Sequence, residues 1–210
     1  METKNQQKRP RGRPKKNVEG HSQTRQRLLR AGIEALTEVG YSSVGLETIL
    51  KREGIPKGSF YYYFDSKASF GQALIENYNQ FFKHKLNHHL KLNRQIPLFG
   101  FHSFVVDAIN GIEKYHYQRG CLIGNLGQEL NALPLSFQDQ LVDVFKQWTD
   151  LLAHYLEKEQ NYGHIRQSLN CCHQAQLFWI GWEGAVLHAK LQKSSQPIKS
   201  FADYFTSTLN

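Results

Sequence analysis

Apolar residues recur along this chain at intervals of three and four, and no stretch alternates in the two-residue rhythm of a strand. Leu28, Leu29, Ile33 and Leu36 form the first helical stripe, which Ser22 or Thr24 is placed to cap and Gly40 to stop. Ser43 is then placed to cap a short helix carrying Leu46, Ile49 and Leu50, which ends at Gly54. Pro56 suits the first turn of a third helix, where its missing N–H costs nothing, and that helix is predicted to run through Phe64. Asp65 or Ser66 caps a long amphipathic helix expected from about residue 67 to 92, with a break at Gln95-Ile96-Pro97. Further helices are predicted over 98 to about 118 and across 121–130. Phe137, Leu141, Phe145, Trp148, Leu152 and Tyr155 mark a helix from Ser136 to about Gln160, about 36 Å long. Another spans 168–192, and a last one follows Pro197. The expected fold is all-α, with an N-terminal three-helix unit of helix-turn-helix type and a larger helical domain behind it.

The helix over 168–192 has two apolar faces. Ala175, Phe178, Trp179, Trp182, Ala185, Val186 and Ala189 make one, and Leu177, Ile180, Gly184, Leu187 and Leu191 make the other. A helix apolar on two sides needs cover on two sides, from its own chain or from a partner subunit. Gly181 and Gly184 admit a close neighbour, and Gln176, Glu183 and Lys190 form a narrow polar band between the faces.

Charge sharpens this picture. The net charge of +8 is carried by residues 1–30, with ten Lys and Arg against two Asp and Glu, while the remainder holds sixteen of each sign. A basic end on a neutral body suits a polyanion, either nucleic acid or anionic lipid. Residues 1–21 show no apolar periodicity and are expected to form a disordered basic arm. Arg11-Gly12-Arg13-Pro14-Lys15-Lys16 within it suits either an extended lie in an A·T minor groove or a general phosphate contact. No apolar run spans a bilayer and no secretory leader is evident, so a cytoplasmic protein is expected, without a membrane partner. Three cysteines, two of them adjacent, make no disulfide framework, and free thiols are expected.

The segment 54–67 carries the candidate chemistry. Lys57, Ser59, Tyr61 and Tyr62 can donate to phosphates or base edges, and Gly58 permits close approach. Phe60 and Phe64, four apart, can anchor the helix inward, and Lys67 opens the next helix where a cation opposes the dipole. The stretch Gly54-Ile-Pro-Lys-Gly-Ser-Phe-Tyr-Tyr-Tyr-Phe-Asp-Ser-Lys67 resembles the recognition helix of the TetR family of transcriptional regulators. Ala31-Gly-Ile-Glu-Ala-Leu-Thr-Glu-Val-Gly-Tyr41 resembles that family's first helix. Tyr62 stands where the family usually has histidine. The resemblance implies that Lys57, Gly58, Ser59, Tyr61 and Tyr62 face DNA and that Lys67 holds a phosphate; Ser43 and, on the basic arm, Arg11 and Arg13 are further candidate DNA contacts. It implies a repressor, a homodimer, a palindromic double-stranded operator and release by a small-molecule inducer. Residues 22–82 would be the DNA-binding domain and 83–210 the ligand-binding and dimerisation domain. Half-sites would lie about 34–36 Å, or a multiple of that, apart.

Arg119-Gly-Cys-Leu-Ile-Gly-Asn-Leu-Gly-Gln-Glu129, Ala132-Leu-Pro134 and Phe178-Trp-Ile-Gly-Trp-Glu-Gly-Ala185, with Ala189-Lys190, resemble members of the family that answer acrylate and electrophiles. On that likeness Cys121, Asn125, Trp182, Glu183 and Lys190 are the candidate ligand residues. Gly120 and Gly124 flank Cys121 and suggest an accessible sulfur, whose thiol a nearby Lys190 would activate. The competing reading is an inert buried cysteine. His84, His88 and His89 have metal-ligand spacing, but a solvated helix face accounts for them better, and no metal or cofactor is expected. Adjacent side chains such as Cys171 and Cys172 point about 100° apart on a helix, so core packing suits that pair. An enzyme using Cys121 or the histidines is the rival of another class, and no nucleophile, base and orienting group are legible together. A nucleoid-binding protein using the basic arm is the second rival.

Overall fold

The computed structural model describes the backbone over residues 18–210 and the side chains from residue 22 onward. The chain folds as α1 (Val18–Val39), α2 (Leu46–Glu53), α3 (Lys57–Phe60), α4 (Lys67–His89), α5 (Phe99–Lys114), α6 (Leu122–Gln128), α7 (Ser136–Asn161), α8 (Cys171–Gln192) and α9 (Gln196–Leu209). A 3-10 turn, Leu130–Ala132, follows α6, and there is no strand among the described residues. Arg11 and Arg13 lie outside those residues.

Several helix ends differ from the pattern reading, each for a local reason. Helix α1 begins at Val18, ahead of Ser22 and Thr24. Gly45, not Ser43, is the N-cap of α2, and no side chain caps it. Ser43 lies instead in the exposed turn of 41–43. Gly54 closes α2 at φ 63°, a left-handed geometry that glycine adopts without a Cβ penalty. Helix α3 ends at Phe60 rather than Phe64. The Tyr63 and Phe64 amides both return to the Phe60 carbonyl (2.8 and 3.1 Å), and the Tyr63 bond is a tighter three-residue closure that ends the α geometry. At α4 the expected cap is present. The Ser66 hydroxyl accepts from the Ser69 amide and the Ser69 hydroxyl accepts from the Ser66 amide, both at 3.0 Å.

Two clusters of rings hold the molecule. In the first, fully buried Phe60 packs against Phe64 and Phe70, with centroids 5.5 and 5.3 Å away, and so fastens the segment after α2 onto α4. In the second, Phe82 of α4 meets Trp148 of α7 at 4.2 Å, and Phe178 of α8 stacks on Trp182 at 5.2 Å. Such pairs add about 0.5–1.5 kcal/mol each beyond their burial. Buried Asn79 ties α4 to α7: it accepts from Trp148 Nε1 at 2.9 Å and donates to Gln147 Oε1 at 3.2 Å. The first apolar face of α8 is covered by this core, while Leu177, Ile180, Leu187 and Leu191 on the second stay exposed. Gly181 admits the ring of Phe201 from α9, whereas Gly184 faces open space.

Gly71 of α4 shows how closely the domains are joined. A Cβ there would sit 2.4 Å from the ring of fully buried Phe137 and 3.0 Å from Tyr41. Gly71→Ala is expected to destabilise the protein by about 1–3 kcal/mol through overpacking. Thermal melting should register this as a drop of roughly 2–12 °C, and an unchanged midpoint would contradict the tight joint.

Candidate functional site

The DNA-facing candidate is built from α2, α3 and the turn after it. Phe60 and Phe64 point inward, and this turns the remaining side chains of the segment outward. Lys57, Gly58, Tyr61 and Tyr62 are exposed, Ser59 is half-exposed, and a Cβ on Gly58 would touch nothing within 4 Å. Lys57 reaches back to Glu47 of α2 at 3.0 Å, and this exposed pair keeps the lysine charged. An exposed pair of this kind is readily exchanged for a phosphate.

Lys67 is placed differently from the outward residues. Its ammonium donates to the carbonyls of Tyr41 (2.9 Å) and Val44 (2.8 Å) and lies 4.4 Å from the centre of the Tyr41 ring. Two of its three protons therefore brace the turn before α2, and burial lowers its pKa. The Glu129 carboxylate holds the same turn from the other side. It accepts from the Tyr41 amide at 3.0 Å and the Ser42 amide at 2.8 Å. It comes so close to Gly40 that a Cβ there would collide with it. Asn125 of α6 donates to the Thr37 carbonyl of α1 at 3.3 Å, which ties α6 to the end of α1.

Between these parts lies a cavity of about 570 Å³. Helix α1 supplies Arg30, Ile33, Glu34 and Thr37, and α4 supplies Tyr78, Phe82 and Lys85. Phe104, Tyr115, Arg119, Cys121 and Trp182 complete much of the wall. Of the five residues expected at the ligand, Cys121 and Trp182 line this space, and Asn125, Glu183 and Lys190 do not. The sequence reading missed Tyr78, Arg119 and the whole α1 wall. Arg119 stood in the quoted motif, but nothing in the spacing indicated that α1 would form a wall.

The chemistry around Cys121 also needs correcting. Its thiol is buried rather than open, and burial, then the neighbouring Glu183 charge, pushes its pKa well up. Its acidic neighbour is Glu183, and Tyr78 lies beside the same thiol. Gly124 makes room for this carboxylate, which would otherwise collide with a Cβ. Burial raises the Glu183 pKa to about 7, and its Oε1 is buried without a hydrogen-bond partner among the described residues. Lys190 lies over Gly120, outside the cavity lining, where burial lowers its pKa. Lysine activation of the thiol therefore gives way to a buried cysteine–carboxylate pair. Of the three histidines, His89 is bonded elsewhere, its Nδ1 2.8 Å from the Ser103 hydroxyl. No group of three or more His, Cys, Asp or Glu among the described residues is placed to hold a metal. No helix among the described residues is long and apolar enough to cross a membrane.

Comparison with known proteins agrees with this architecture. Residues 28–74 match the family described as bacterial regulatory proteins, tetR family, and residues 101–205 match the tetracyclin repressor-like C-terminal domain. The chain is 43% identical over 95% of its length to the transcriptional regulator AcuR of Cereibacter sphaeroides, of which 90% is covered. It is 28% identical over 84% of its length to the HTH-type transcriptional repressor NemR of Escherichia coli, of which 89% is covered. The crystal structure of a regulatory protein TetR from Rhodobacter sphaeroides superposes with a TM-score of 0.83 at 44% identity, covering 87% of this chain and 96% of that one. These relatives are regulators, not enzymes. The chain belongs to the TetR family of bacterial transcriptional regulators, with its helix-turn-helix in α2 and α3.

Proposed function

We propose that this protein is a homodimeric repressor that grips a palindromic operator through Lys57, Gly58, Ser59, Tyr61 and Tyr62 and lets go when a small inducer fills the cavity. The observation that carries this reading is the outward display of that segment, with Tyr61 51% and Tyr62 44% exposed while Phe60 is fully buried. Large polar aromatics left in solvent beside a lysine suit base edges and phosphates. Ser43 in its exposed turn and the third proton of Lys67 add phosphate contacts. Residues 1–21, with Arg11 and Arg13, serve as a basic arm ahead of a DNA-binding unit over 22–82 and a ligand and dimer domain over 83–210. The second face of α8 is the dimer surface: Ile180 (74% exposed) and Leu191 (71%) are too apolar to be left wet. A coupling of about 1–3 kcal/mol between cavity and operator would change affinity about 5–150-fold.

The inducer we favour is acrylate or a related electrophilic carboxylate. The sequence resemblance suggests it, and Cys121 lines the cavity. The sulfur adds to the terminal alkene carbon as the C=C bond opens, the thiol proton goes to Glu183, and the carbon beside the carboxylate takes up a proton from solvent while Glu183 returns its own to solvent. All atoms are retained and no oxidant is required. With its pKa raised, the thiol loses its proton during attack rather than beforehand, and Glu183 accepts it in its ionised form.

Operator binding, measured on DNA upstream of the protein's own gene with and without acrylate, tests the central reading. Lys57→Ala and Tyr61→Ala should each weaken binding by about 1–3 kcal/mol without changing the melting temperature. Unchanged affinity in both would remove the recognition face from consideration. Cys121→Ser should need far more acrylate for release, and intact-mass measurement of wild type should show addition of one acrylate. Equal release by the two proteins would end the thiol mechanism.

Glu183 also predicts a pH dependence. Below pH 4.5 the folded and unfolded states both hold its proton. As pH rises towards 7 the unfolded chain releases it while the folded chain keeps it, and stability falls until the folded group ionises near pH 7. The loss amounts to at most about 3.5 kcal/mol, at roughly 1.4 kcal/mol per pKa unit. Melts of Glu183→Gln and wild type should converge near pH 4.5 and separate by pH 8, with the variant the more stable. Parallel curves across that range would refute the buried carboxyl's role.

A further inference from the structure

We propose that Arg119 recognises the carboxylate of a cavity ligand, and that in doing so it gives up its hold on α1 and thereby loosens the DNA-binding head. The inference rests on the reading of the cavity as the inducer site. The wall carries three cations, Arg30, Lys85 and Arg119, against the single acid Glu34, so it favours an anion. Lys85 is already ion-paired with Asp107 of α5, and Arg30 is exposed. Arg119 is the seated cation: its guanidinium lies over the Tyr115 ring, 4.1 Å from the centroid, and its side chain is only 22% exposed.

The way Arg119 is bonded explains how a ligand there would be felt. Nε and Nη2 both donate to one oxygen, Glu38 Oε1, at 3.1 and 2.8 Å. Nη2 also faces Glu34 Oε2 at 3.6 Å. Nη1 has no partner among the described residues, so the Nη1–Nη2 edge can take a carboxylate in the two-bond geometry that arginine favours. A ligand on that edge competes for the guanidinium charge, and as the side chain turns to meet it both Nε and Nη2 leave Glu38 and Nη2 leaves Glu34. The other Glu38 oxygen, Oε2, accepts from Arg52 of α2 at 3.2 Å. Arg119, Glu38 and Arg52 thus form a chain of ion pairs from the cavity wall, through α1, to the last turn of the first helix of the helix-turn-helix. Exchange of partners at Arg119 leaves Glu38 to Arg52 alone and releases α1 from the segment before α6.

The test uses the full chain and two probes of the same shape, acrylate and its neutral amide, acrylamide. The half-maximal concentration for operator release is measured with each, in wild type, Arg119→Gln, Arg119→Lys and Glu38→Gln. Comparing the acrylate-to-acrylamide ratio between proteins cancels the intrinsic reactivity of the two alkenes. Arg119→Gln should shift that ratio against acrylate by roughly tenfold or more, the scale of a lost charge-assisted pair, and Arg119→Lys by less. Glu38→Gln should still take up acrylate at Cys121, read by intact mass, yet show at least about threefold less weakening of operator binding. Operator affinity without probe and thermal melting establish that each variant is folded. An unchanged ratio in Arg119→Gln, or full release in Glu38→Gln, would overturn the inference while leaving the cavity reading intact. A wild-type protein indifferent to both probes would overturn the two together.

Discussion

The turn from Tyr41 to Val44 is gripped on both sides by opposite charges, and the placement of the DNA-binding segment depends on that grip. The ammonium of Lys67 satisfies two of the turn's carbonyls, and the carboxylate of Glu129 satisfies two of its amides. Charged groups bonded to backbone dipoles make stronger contacts than neutral pairs. One of these residues begins α4, and the other follows α6. The short turn is therefore the place where the small N-terminal unit and the larger helical body are fastened together. Phe60, Phe64 and Phe70 complete the joint from beneath.

Behind that joint, α4 serves both halves of the molecule. Its first turn carries the Ser66 cap and Lys67, its middle buries Asn79 against Trp148, and Tyr78, Phe82 and Lys85 form part of the cavity wall. The rings of Phe82, Phe104, Trp148, Trp179 and Trp182 make a stiff backing to that wall, because close-packed aromatics deform little. The cavity has this backing on one side and α1 on the other.

Much of this was legible in the residues. The 3.6-residue period located every long helix, because each buries one clear stripe, and the pairing of Phe60 with Phe64 gave the inward side of the recognition segment correctly. Capping was harder. Ser43 and Ser66 carry the same hydroxyl, but only Ser66 has a serine three residues later to return the bond, whereas Gly45 lies between Ser43 and α2. The cavity was only half legible. Cys121 and Trp182 were found through motif likeness, but the partner of the thiol depends on which turn of α8 lies level with it, and that is a tertiary fact. Glu183 and Lys190 lie seven residues, or about two turns, apart on α8, so sequence alone could not decide between them. The α1 wall was invisible because its lining residues Arg30, Glu34 and Thr37 read as an ordinary polar helix surface.

That α1 is shared has a consequence for how such a switch can diversify. The helix that floors the cavity also supports the helix-turn-helix, so on the proposed reading changes at Arg30, Ile33, Glu34 or Thr37 that admitted a new inducer would also act on the DNA-binding unit. On that reading new signals would be more safely acquired on the far wall, at Phe104 or Trp182, whose ring contacts lie within α4, α5 and α8 rather than on α1.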